Sequence, residues 1–71
     1  MAESVYRITE VVGTSTESWE KAAAVAVETA ARTLRDLRVA EVAQLDMAIE
    51  DGRVRAYRAR VRISFKLESS A

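Results

Sequence analysis

The chain has no cysteine, no histidine and no proline in its 71 residues, and only two glycines. Without cysteine no disulfide can reinforce a small core, and the redox compartment leaves no trace. Without cysteine or histidine, zinc and the soft metals lose their ordinary ligands, which leaves oxygen donors of the kind that suit calcium or magnesium. The usual nucleophile–base pairs are missing as well, so serine with lysine or paired carboxylates are the remaining catalytic options. Neither Lys21 nor Lys66 has a serine spaced to suggest activation, although Ser64 lies two positions from Lys66. The chain therefore reads as a protein that is not an enzyme. Gly13 and Gly52 cannot make a phosphate-cradling loop, and Gly13-Thr14-Ser15 reads as a plain strand-to-helix turn rather than an anion site. Charge of one sign is not in excess: 11 bases stand against 11 acids. That balance gives no general attraction to nucleic acid or to an anionic membrane. Long apolar runs are also missing. The longest, Ala22 to Val27, falls far short of the roughly 20 residues a membrane span needs. Met-Ala-Glu-Ser lacks the basic start and apolar stretch of a signal peptide, so a cytoplasmic location is expected.

What is present is a high apolar content, 49% of residues, which argues against disorder. At this length the chain is one domain, residues 1–71, and buries only about 60% of its unfolded surface. With disulfides and soft metals excluded, self-association is the support that remains, with an oxygen-ligated cation as a second.

Val5 to Val12 is β-branched and aromatic and reads as a first strand, with Tyr6 and Ile8 on one face and Arg7 and Thr9 on the other. Thr14-Ser15-Thr16 supplies N-cap candidates, and Glu17 and Glu20 put negative charge at the start of a helix from about Thr16 to Asp36. Trp19, Ala22, Ala26, Ala30, Leu34 and Leu37 recur at helical spacing, and the small residues let a sheet approach closely. Trp19 reads as a core anchor. Arg32, Arg35 and Arg38 gather where cations favour a helix C-terminus. A second strand follows from about Val39 to Ile49, with a parity change near Val42-Ala43 that implies a bulge or bend. After it comes a third strand in which Tyr57, Ala59, Val61, Ile63, Phe65 and Leu67 alternate with Arg58, Arg60, Arg62, Ser64 and Lys66. Keeping Leu45 and Met47 on the face of Tyr57 and Ala59 requires odd parity, which a three-residue loop Glu50-Asp51-Gly52 would meet. That register sets Gln44 opposite Arg58, with Asp46 on the diagonal. The tail Glu68 to Ala71 reads as frayed. So many cations on one face of a neutral chain call for acids, on the neighbouring strand or on another copy, and an intersubunit ion-pair ladder is the expected form. A nucleic-acid module using Arg53, Arg55, Arg58, Arg60 and Arg62 is the rival, which zero net charge and the lack of interleaved exposed aromatics disfavour. The fold class is α+β, a β-α-β-β subunit whose last two strands are longer than one helix can cover.

This order resembles the dodecin family, small subunits in which a three-stranded antiparallel sheet wraps one helix and twelve copies close into a hollow shell. The likeness rests on Val11-Val12-Gly13-Thr14-Ser15, on Ser18-Trp19-Glu20 before the alanine-rich helix, on Glu41-Val42, on Asp51-Gly52 and on Ser64-Phe65-Lys66-Leu67. It covers nearly the whole chain and implies a homododecamer for ligand binding or storage. Most dodecins bind flavin, stacking it on a tryptophan before the Glu-Val pair and hydrogen-bonding its edge with a glutamine in the third strand. Here Val39 and Arg58 stand at those places, beside Tyr57, so flavin (FMN or riboflavin) is not the expected ligand and would need non-standard contacts. Ser18-Trp19-Glu20, Arg38-Val39-Ala40 and Gln44-Leu45-Asp46-Met47-Ala48 are closer to the calcium-binding, non-flavin branch. That resemblance brings in calcium, for which no EF-hand loop exists here. The candidate ligands are Glu17, Glu20, Asp46, Glu50 and Asp51, assembled across subunits.

Overall fold

A computed structural model of the chain describes residues 3–67, so the expectation for Glu68 to Ala71 lies outside them. The described residues run in the expected order: β1 (Tyr6–Ser15), α1 (Trp19–Ala30), β2 (Leu37–Glu50) and β3 (Arg53–Lys66). The strands form one antiparallel sheet in which β3 lies between β1 and β2.

The helix is shorter than its periodicity suggests. Ser18 is the N-cap, its hydroxyl accepting from the Lys21 backbone N–H at 3.0 Å. The expected cap region upstream does different work, because Ser15 Oγ accepts from the Glu17 N–H and closes a turn. After Ala30 the chain tightens through hydrogen bonds from Arg32 to Thr29 and from Thr33 to Ala30. Asp36 then takes a left-handed φ of 59° and turns the chain into β2. Arg32, Arg35 and Arg38 therefore lie past the helix and not in its last turn. The reason is local. Two threonines and a backbone reversal outweigh the alternation of leucines that extended the pattern on paper.

One face of α1, Ala22, Ala26 and Ala30, is buried against Ala59, Val61 and Ile63 of β3, with Val11, Val27, Leu34 and Leu37 packed around them. Gly13 is the contact that lets this happen. A Cβ there would run into the Ala22 carbonyl oxygen and sit 2.9 Å from the Ala26 Cβ. On β1 the odd-numbered residues from Thr9 to Ser15 face the helix, leaving Tyr6, Ile8 and Val12 exposed on the outer face.

The hairpin corrects two details. Glu50 pairs directly with Arg53, so the loop is the two residues Asp51 and Gly52, with φ of 53° and 73°. Positive φ at both positions is the type I′ pattern, whose twist matches the flanking strands. The odd parity comes from a bulge at Arg55, where Ala48–Ala56 pairing passes to Ile49–Val54. Leu45 and Met47 do share a face with Ala59 and Tyr57, but Asp46 lies directly opposite Arg58 and Gln44 opposite Arg60. The parity change expected near Val42-Ala43 is a register shift between Val42 and Gln44.

The described chain measures 55 × 20 × 14 Å, whereas a 12-residue helix is about 18 Å long. α1 packs on β1 and β3 and scarcely touches β2. Val42, Leu45, Met47, Ile49 and Val54 are left exposed on the two-stranded arm that extends beyond it.

Gly13→Ala is expected to destabilise the fold by about 1–3 kcal/mol, the usual cost of overpacking. Gly52→Ala should cost less, about 1–2 kcal/mol, because only the left-handed φ opposes it and no atom lies near the new Cβ. Urea unfolding of the two variants and the parent measures the order. Equal loss from both would remove the close helix–strand approach as the controlling contact.

Candidate functional site

The outer face of the sheet carries the charged residues, and β3 supplies the cations because every second residue from Arg58 to Arg62 is an arginine. Their partners are on the two flanking strands. Arg58 Nε donates to Asp46 Oδ1 at 2.7 Å and its Nη2 to Oδ2 at 3.3 Å, a two-pronged pair across β2 and β3. Glu10 of β1 is shared: Arg60 Nη1 donates to Oε1 at 3.3 Å and Arg62 Nε to Oε2 at 3.1 Å. Arg62 also lies 4.0 Å from Glu41, and Arg55 lies 3.6 Å from Glu50. The expected intersubunit ladder is thus closed within the chain, because β3 is central and both neighbours place carboxylates in register. Among the described residues, Arg60 Nε is buried without a hydrogen-bond partner.

These contacts set the titration. The hydrogen bond from Arg62 holds the Glu10 carboxyl below the ordinary glutamate value, with Arg60 adding to it against partial desolvation. The hydrogen bond from Arg58 does the same for Asp46, and Asp46 in turn raises Arg58. Glu10 carried no functional expectation from the sequence. The signal was a lone acid among the apolar and β-branched residues of β1, legible only once β1 is known to lie beside β3.

Asp46 works on both sides of the sheet. Its backbone oxygen accepts from Trp19 Nε1 at 3.0 Å, while its carboxylate holds Arg58. The Trp19 ring meets Tyr57 edge-on at 5.0 Å between centroids. Trp19 is therefore the anchor between helix start and arm. Tyr57 belongs to this inner cluster and lies on the opposite face from Arg58. Val39, exposed on the outer face, pairs with Ser64. It is six residues along β3 from Arg58, about 20 Å at the usual rise. One chain does not bring Val39, Tyr57 and Arg58 into one site.

The acids expected to hold a cation are also dispersed. Glu17 and Glu20 flank the helix start, Asp46 is engaged by Arg58, Glu50 faces Arg55, and Asp51 sits in the turn. No three metal-ligating side chains come together among the described residues. A six- to eight-oxygen site built from them needs more than one copy. Beside the helix start a groove of about 530 Å³ is lined by Trp19, Glu20, Ala23, Val42 and Leu45. No helix among the described residues is long and apolar enough to cross a membrane.

Comparison with known proteins agrees with this architecture. The family model described as Dodecin matches residues 5–68. A curated relative, the calcium dodecin of Mycobacterium tuberculosis, is 44% identical over 64 residues, 90% of each chain. A solved structure of the calcium-chelating calcium dodecin of that organism superposes with a TM-score of 0.81 at 43% identity, over 96% of this chain and 97% of that one. The dodecin of Streptomyces coelicolor is similar at a TM-score of 0.89 and 43% identity, over 99% of this chain and all of that chain.

Because Glu10 and Asp46 have lowered values in the folded chain, their stabilisation is complete above the unfolded carboxyl range near 4 and is lost as pH falls through the lower folded values. Glu10→Gln should therefore melt below the parent at pH 7, and the gap should narrow as pH falls below the ordinary glutamate range and Glu10 takes up its proton. A gap that stays constant across this range in thermal melts would contradict the ion-pair account.

Proposed function

The chain belongs to the dodecin family, and from that premise we propose that it forms a closed homo-oligomeric shell, a dodecamer, that binds calcium in preference to flavin. Dodecins are ligand-binding storage proteins and not enzymes, in keeping with a chain that lacks histidine and cysteine. The observation that carries the ligand preference is the Asp46–Arg58 pair at 2.7 Å. Arg58 stands where the family's flavin-reading glutamine is expected. It offers donors only, and Asp46 already holds two of its nitrogens. Val39 has no π-face, so about 0.5–1.5 kcal/mol of stacking per ring contact is lost as well.

Support for calcium comes from the calcium dodecin relative and from a donor inventory of oxygens alone. Of the candidate acids, Glu17, Glu20, Glu50 and Asp51 are exposed. Asp46 joins them by fixing the arm, and its carboxylate reaches a metal only if Arg58 lets go. The dispersal of these acids in one chain makes the proposed site intersubunit, so cation binding and assembly reinforce each other. The partner is a second copy of the chain. Membranes and nucleic acids are not partners in this reading, and the location proposed with it is the cytoplasm. Arg55, Arg58, Arg60 and Arg62 face carboxylates instead of phosphates.

Melting curves in calcium, magnesium and chelator test the cation. A hundredfold excess of calcium over its dissociation constant should stabilise the assembly by about 2.7 kcal/mol. Three coincident curves, with no heat of calcium binding by calorimetry, would remove the site. Titration with FMN or riboflavin, followed by flavin fluorescence, should show no stoichiometric quenching below micromolar concentration. Val39→Trp alone should not restore it while Asp46 holds Arg58. Tight quenching in the parent chain would reverse the preference.

A further inference from the structure

We propose that Arg58 is a built-in competitor of calcium: its guanidinium occupies the Asp46 carboxylate, and the cation reaches that carboxylate only by displacing it. The competition rests on the proposed calcium site and sets the affinity of that same site. Among the candidate acids Asp46 is held most firmly. Both of its oxygens are taken, Oδ1 by Arg58 Nε at 2.7 Å and Oδ2 by Arg58 Nη2 at 3.3 Å. Glu50 has only a 3.6 Å contact with Arg55, between two well-exposed side chains. Glu17, Glu20 and Asp51 take part in none of the ion pairs among the described residues. Those acids are available as they stand. Asp46 is the one whose use as a ligand breaks a short, two-pronged bond.

Asp46 cannot escape the choice by moving. It lies directly opposite Arg58 in the β2–β3 register. Its backbone oxygen accepts from Trp19 Nε1 at 3.0 Å, which ties the chain at this point to the start of the helix. Arg58 is the partner that can leave. Its side chain is 40% exposed, so it has water to swing into. Among the described residues its side-chain hydrogen bonds go to Asp46 alone. A guanidinium left in place would repel a dication on the same carboxylate, because charges within about 4–6 Å of one another act strongly on binding. Displacement is therefore the route by which calcium gains this ligand, and the strength of the Asp46–Arg58 pair is subtracted from its affinity.

Calorimetric titration of the assembled protein with calcium chloride tests the competition. A close cation changes the proton affinity of a carboxylate by about ten- to a thousandfold, and a partly exposed pair takes the low end. Arg58→Gln is therefore expected to bind calcium about tenfold tighter than the parent. Arg58→Lys keeps the charge but loses the fork; it should fall between the two, and it stands in if the glutamine variant does not fold. Arg62→Gln removes the same charge from β3 without a contact to Asp46, and should stay within about threefold of the parent. With Asp46→Asn already in place, Arg58→Gln should change the affinity by less than about threefold, as a double-mutant cycle requires of a term carried by the pair. Melting in chelator accompanies each variant, so that loss of fold is not read as loss of binding. If the parent binds calcium and Arg58→Gln binds it no tighter than Arg62→Gln does, the cation site stands and the competition is overturned. A gain that persists without the Asp46 carboxylate overturns it equally. No heat from the parent or from Arg58→Gln removes the calcium site and the competition with it, whereas binding by Arg58→Gln alone is the competition at its strongest.

Discussion

The helix rests on β1 and β3 so closely that Gly13 has no space for a side chain, and this contact determines how the rest of the chain must behave. Close approach requires small residues on the helix, and alanines supply them at 22, 26 and 30. Small residues bury little area each, at about 25 cal/mol per Å², so the core built from them is thin. Among the described residues, the only side chains larger than alanine that are fully buried are Val61 and Ile63. A 12-residue helix also covers only part of a sheet whose outer strands are 10 and 14 residues long. The arm of β2 and β3 leaves Leu45, Met47 and Ile49 uncovered as a direct result. In this account the missing half of the core is another copy of the chain.

The two faces of the sheet divide the labour. The inner face packs and, on the arm, stays apolar. The outer face is neutralised within the chain, strand by strand, through Glu10, Asp46 and Glu41. Partly exposed ion pairs of this kind contribute little stability each, and their value lies in fixing register. A slip of one residue would turn the arginines inward. The same pairing has a cost for ligand chemistry. An Arg58 held by Asp46 is not free to read a flavin edge, so the residue that fixes the register of β2 also bears on what the protein can bind. Asp46 ties this to the inner side, where its carbonyl holds Trp19 in place.

Much of this was legible in the sequence. Alternation from Tyr57 to Leu67 carries a period of two that no other element mimics, and it placed the buried and charged faces of β3 correctly. The parity change near Val42 was legible for the same reason. The helix end was not, because Leu34 and Leu37 keep the helical spacing although the helix stops at Ala30 and the backbone reverses at Asp36. The hairpin was read with the right parity for the wrong cause. A bulge at Arg55 and a three-residue loop give the same faces, and only the pairing of Glu50 with Arg53 separates them. The role of Glu10 depended on strand order, which periodicity does not encode. The cation candidates were identified by residue type, and one chain disperses them; the proposed site between copies would leave no local pattern in either.

The central claim is that the chain is folded as part of a closed assembly whose arms cover one another. Sedimentation velocity over a dilution series into the submicromolar range tests it most directly. The account predicts a single species of about twelve times the 7.9 kDa chain mass, with loss of the folded signal whenever smaller species appear. A monomer that stays folded and melts cooperatively at those concentrations would contradict it.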